Sequence, residues 1–80
     1  MNEVEKAIAN LAPGVRQQME DSFSRLSIQQ LLEKQTSLIS ERDKLRRERA
    51  ANLNPELDRR IMALNVETAI FNKYVDNNFS

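Results

Sequence analysis

The chain has 80 residues, with one glycine, two prolines, no cysteine and no histidine. Twelve Lys and Arg offset twelve Asp and Glu, a formal charge of zero. Such a chain makes one domain with a marginal core; no disulfide braces it, the best soft-metal ligands are missing, and bulk charge does not draw it to nucleic acid.

Val4, Ala7, Ile8 and Leu11 recur at steps of three and four, which predicts a short amphipathic helix with Glu3 and Glu5 in its first turn. Pro13-Gly14 breaks it, as a simple turn or as the hinge of a mobile arm. A second short stripe follows: Val15, Met19, Phe23 and Leu26. Ser27 with Gln30 three residues on reads as a capping box, and Leu26 and Leu31 flank it as a hydrophobic staple. The main helix is therefore expected from Ser27, the rival being one unbroken helix from about residue 15. Residues 1–26 make an N-terminal helical arm on this reading, and residues 27–80 a hairpin.

Between residues 27 and 51 the apolar positions Ile28, Leu31, Leu32, Leu38, Ile39 and Leu45 fall on one arc, interrupted by Gln35 and Arg42. Asn54-Pro55 restarts the helix: Asn caps it, and proline lacks a donor that would go unpaired there anyway. The second helix is expected to run to about Asp76, ended by the polar tail DNNFS. Its apolar side chains lie on two opposite sides. Leu57, Ile61, Leu64, Thr68, Phe71 and Val75 form one stripe, with the alternating spacing of a coiled coil. Met62, Val66, Ala69, Ile70 and Tyr74 form the other. The short connection makes the two helices antiparallel neighbours, so residues 27–51 dry the first stripe. Leu45 is then expected near Ile61, Leu38 near Thr68, Gln35 near Phe71, and Leu31 and Leu32 near Val75, with Arg42 in reach of Glu67.

Something else must cover the second stripe. Within one chain, the N-terminal arm folds back and completes a bundle. Between chains, the stripe docks a second copy or another protein's helix, through Met62, Val66, Ile70 and Tyr74. The two arrangements are compatible, because the arm segments can swap between subunits. The expected fold is all-α: an antiparallel, coiled-coil-like helical hairpin with a short N-terminal helical arm, completed in cis or in an oligomer.

Chemistry for catalysis is sparse. The commonest general bases and nucleophiles are lacking, one glycine cannot make a phosphate loop, and adjacent acids such as Glu20 and Asp21 do not share a helical face. The expectation is a chain that is not an enzyme, with no cofactor, metal or small-molecule substrate. No apolar run approaches the roughly 18 residues of a membrane span, and no signal-type segment opens the chain, so no membrane contact and a cytoplasmic place are expected. The hairpin tip carries Arg46, Arg47, Arg49, Arg59 and Arg60 among Asp43, Glu48, Glu56 and Asp58. It reads as a solvated face that steers approach, or as a contact for nucleic acid or an acidic protein.

The string VETAIFNKYV, Val66 to Val75, after an Asn-Pro restart, resembles the second helix of the small type III secretion needle co-chaperones. These are helical hairpins that cradle an aggregation-prone partner; the N-terminal quarter of this chain departs from their pattern. The sporulation aspartyl-phosphate phosphatases are also hairpins, but their Ser-Gln-Glu-Leu-Asp motif is absent and their activity does not carry over. Plasmid RNA-binding hairpin dimers share the architecture. The functional expectation is a non-catalytic protein-binding module: an adaptor, small chaperone or inhibitor, of a secretion-system type. It would work as a homo-oligomer or with a protein partner. The alternative is a dimeric RNA- or DNA-binding modulator using the basic tip.

Overall fold

The computed structural model describes residues 2–79. They form four helices, α1 (Glu3–Ala9), α2 (Val15–Ser24), α3 (Ile28–Ala51) and α4 (Pro55–Phe79), with no strand among the described residues.

Each start has a local cause. Asn2 caps α1, its side chain accepting from the Glu5 backbone N–H at 2.8 Å. Gly14 precedes α2 at φ 88°, a left-handed conformation that L side chains rarely adopt. The capping box forms: the Gln30 backbone N–H donates to Ser27 Oγ at 3.2 Å, and the Ser27 N–H donates to Gln30 Oε1 at 2.9 Å. This turn separates α2 from α3, so the unbroken helix from residue 15 does not occur. Asn54 Oδ1 accepts from the Glu56 N–H at 2.9 Å at the head of α4. That helix outruns its expected end at Asp76 and continues to Phe79, and Asn78 Nδ2 donates to the Tyr74 carbonyl at 2.8 Å.

α4 is the central element. The other three helices each pack on it and touch one another little. α3 and α4 form a helical hairpin whose register is marked by ion pairs: Lys34 Nζ lies 3.1 Å from Glu67 Oε2, and Arg49 pairs with Asp58 beside the turn. Leu31 and Leu32 share a cavity wall with Val75, Gln35 and Leu38 share one with Thr68 and Phe71, and Leu45 shares one with Ala63 and Leu64. Arg42 does not reach Glu67. Lys34 occupies that acid, and Arg42 pairs with its neighbour Asp43 instead.

The core is small. Phe23, Leu31, Leu38, Val66, Ile70 and Phe71 are buried in one cluster, with Val4, Ala7, Ile8, Leu11, Met19 and Leu26 of the arm partly buried against it. Full burial of such side chains is worth about 1.5–3 kcal/mol each. The second stripe of α4 is therefore covered by the chain's own arm. Phe23 of α2 packs on Phe71 and Tyr74, and α1 closes over the neighbouring part of α4.

Candidate functional site

This packing places the residues expected to dock a partner against the chain's own helices. Of the four residues expected to dock a partner, Val66 is 8% exposed and Ile70 1%, while Met62 and Tyr74 are half-buried. All four pack within the core or against it, under helices of the same chain. In this conformation the stripe is largely covered, with Met62 bordering the wide cleft near the hairpin turn and Ala69 and Ile70 bordering another.

The unpartnered apolar face lies instead on α3. Its expected dry arc is split. Leu31, Leu38 and Leu45 are buried, whereas Ile28 is 66% exposed, Leu32 59% and Ile39 44%. The reason is geometric. The arc spans about 140° at 100° per residue, wider than one neighbouring helix covers, and the second layer (α1 and α2) packs on α4 rather than on α3. Phe79, brought alongside by the extension of α4, is half-exposed in the same region.

These side chains edge a groove between α3 and α4. Toward the end that carries Ile28, a cavity of about 170 Å³ is walled by Ile28, Leu31, Leu32, Phe71, Val75 and Phe79, with Gln35 its one polar lining residue. Beside it, sharing Gln35 and Phe71, a cavity of about 150 Å³ is lined by Leu38, Ile39, Arg42, Thr68 and Asn72. Toward the hairpin turn the same side opens into a wide cleft of about 660 Å³ that includes Arg46, Arg49, Leu53, Asp58 and Asn65. The groove therefore grades from apolar at one end to charged at the other.

Two residues lining the middle cavity each hold a polar atom closed to solvent. Arg42 Nε and Thr68 Oγ1 are buried and have no hydrogen-bond partner within the protein. Arg42 Nε lies 3.6 Å from Asp43 Oδ1, an ion pair beyond hydrogen-bond length. Adjacent residues on a helix do not face each other, which keeps that pair long.

The basic tip is real but splayed. Arg46, Arg47, Arg49, Arg59 and Arg60 are all exposed. Arg46 and Arg49 line the wide cleft, and Arg49 is engaged with Asp58. Arg60 lines a different cleft, with Glu41 and Glu67. Leu53, 93% exposed at the turn, is an apolar tip residue to which the sequence reading assigned no role. The exposed row on α3 did leave a trace in the sequence: positions 28, 32, 35, 39 and 42 step by four and three, a second row beside the buried Leu31, Leu38 and Leu45.

Among the described residues, no helix is long and apolar enough to cross a membrane. No protein-family model, no curated protein and no solved structure matches the chain, so the functional reading rests on this geometry.

Proposed function

We propose that the chain is a non-catalytic protein-binding module, an adaptor, small chaperone or inhibitor of the secretion-system kind, whose docking surface is the α3–α4 groove. The hairpin, packed antiparallel in coiled-coil fashion, acts as a preformed cradle, and the N-terminal arm stiffens it from behind. The observation that carries this reading is the exposed row Ile28, Leu32 and Ile39 with Phe79 beside it, edging a groove that is almost wholly apolar at one end. Contiguous exposed apolar surface rimmed by polar residues marks interaction sites. Completing the burial of these four side chains is worth about 1 kcal/mol each, since each is already partly covered.

The test is site-directed photo-crosslinking in the native host, with the photoreactive side chain at Leu32 or, on the opposite side of α3, at Lys44. A defined partner is expected from position 32 and not from 44. Its complex, rebuilt from purified proteins, should be lost with Leu32→Asp and persist at high salt. A partner captured equally from both positions, or one indifferent to Leu32→Asp, removes the proposal.

The basic tip carries the alternative, nucleic-acid binding through Arg46, Arg47, Arg49, Arg59 and Arg60. Its splay over two clefts supports it less well. Gel shifts across salt separate the two readings, because phosphate contacts weaken steeply as salt rises.

A further inference from the structure

We propose that, when no other protein is bound, the occupant of the groove is a second copy of this chain, seated antiparallel about a two-fold axis midway between Leu32 and Gln35. This rests on the docking reading above and names the occupant.

The presented side of α3 carries no charge from Ile28 to Ile39. Ile28, Leu32, Gln35 and Ile39 share that side, and the two charged residues of the stretch, Glu33 and Lys34, lie about 130° around the helix from it at 100° per residue. Glu33 accepts a hydrogen bond from Gln29, and Lys34 is held by Glu67. A centre depleted of charge is the composition of an interface core.

The row also matches itself. The two-fold axis sets Ile28 level with Ile39 of the second copy and Leu32 level with its Gln35, because both pairs of numbers have the same sum. Ile39 of the second copy then meets the apolar cavity beside Ile28, walled by Leu31, Leu32, Phe71, Val75 and Phe79. At about 170 Å³ that cavity has room for one large apolar side chain, since an apolar cavity of about 150 Å³ takes a benzene ring. Symmetry fills both cavities at once. The two Gln35 side chains come within three residues of each other, about 4.5 Å along the axis, and each amide can both donate and accept. Charge selects the direction. Parallel pairing sets Arg42 on Arg42 and Arg46 on Arg46. In the antiparallel pair these arginines lie past the start of the other α3; Arg42 comes level with Arg25 in the turn before it, with Asp43 at its side to offset the charge.

The area suffices. Ile28, Leu32, Ile39 and Phe79 together expose roughly 450 Å² on each copy, at about 200 Å² for a fully exposed large side chain. Two copies bring roughly 900 Å² of apolar surface, and apolar atoms make about 60% of an interface, so roughly 1,500 Å² is covered in all. A stable complex covers about 1,200–2,000 Å². A second subunit is also the usual supplement for a chain with so small a core.

Light scattering and sedimentation of the purified full-length protein should find a dimer in the micromolar range. Leu32→Asp should weaken it about a hundredfold or more, because each dimer carries the change twice, and Ile39→Asp should do the same; circular dichroism should show both variants still helical. The chain has no cysteine, so single introduced cysteines can carry spin labels that read the register. Labels at Thr36→Cys should sit close together, about 7.5 Å apart along the axis, and labels at Arg47→Cys about 40 Å apart. A protein that stays monomeric at about 1 mM, a dimer that both aspartates leave intact, or labels at position 47 as close as those at 36 overturns this inference. If the protein is monomeric but a different protein crosslinks at position 32 and is released by Leu32→Asp, the docking reading stands. No dimer and no partner captured at that position overturns both.

Discussion

The ring of Phe23 stands edge-on to that of Phe71, with centroids 5.2 Å apart and planes at 89°. This contact joins α2 to α4 and is the centre of the molecule. Tyr74 adds a tilted ring at 5.8 Å, and the Lys34 ammonium lies 5.6 Å over the Phe23 ring. One side chain thus ties the arm to both helices of the hairpin.

Phe23→Ala is expected to cost about 3–5 kcal/mol, from lost burial and the cavity left behind. That is as much as a core of this size supplies, so the variant should be largely unfolded by circular dichroism. Phe23→Leu keeps most of the volume and loses the aromatic pairing, about 1–2 kcal/mol, which urea titration should resolve in a chain that still folds cooperatively. A fully folded Phe23→Ala would mean that the arm contributes little to stability.

Val66→Asp and Leu32→Asp form an informative pair. Sequence reasoning expects Val66→Asp to abolish association while leaving a helical hairpin. In the structure Val66 is buried beneath the arm, so an unpaired carboxylate there should cost several kcal/mol and unfold the chain at every concentration. Leu32, 59% exposed, should tolerate aspartate within about 0.5 kcal/mol. Melting curves at two protein concentrations decide between the placements; a stable Val66→Asp and an unstable Leu32→Asp would reverse them.

Gly14→Ala isolates a backbone effect. A Cβ at Gly14 meets nothing within 4 Å, yet φ is 88°. The cost should be about 1–2 kcal/mol, the penalty for an L residue in the left-handed region. Chemical synthesis with D-alanine at this position should restore stability, since the mirror-image residue favours positive φ. Equal melting of the L- and D-alanine forms would show that the turn is not held in this conformation.

Ser27→Ala removes the capping hydroxyl that Gln30 N–H donates to. The expected loss is about 1 kcal/mol. Hydrogen exchange should report it as faster exchange in the first turn of α3, with the amides around Leu45 unaffected. Uniform acceleration along the helix would indicate that the cap is not a local element.

The helix starts were legible because their causes are local. Ser27 with Gln30, Asn54 with Pro55, and Pro13 with Gly14 each act within a few residues, so side-chain chemistry at those positions is enough. The end of α4 differs from the expectation: Asp76, Asn77 and Asn78 have the composition of a tail, yet the helix continues through them to Phe79. The two stripes of α4 were also visible as periodicity.

The sequence by itself determined that α4 is apolar on two sides and that α3 carries a broad apolar arc. Only the tertiary structure decided which face would be left uncovered. Periodicity records that a side chain gains by leaving water, but that gain is non-directional and does not name the neighbour that dries it. The arm settled on α4, sealing Val66 and Ile70, and Ile28, Leu32 and Ile39 were left along the groove.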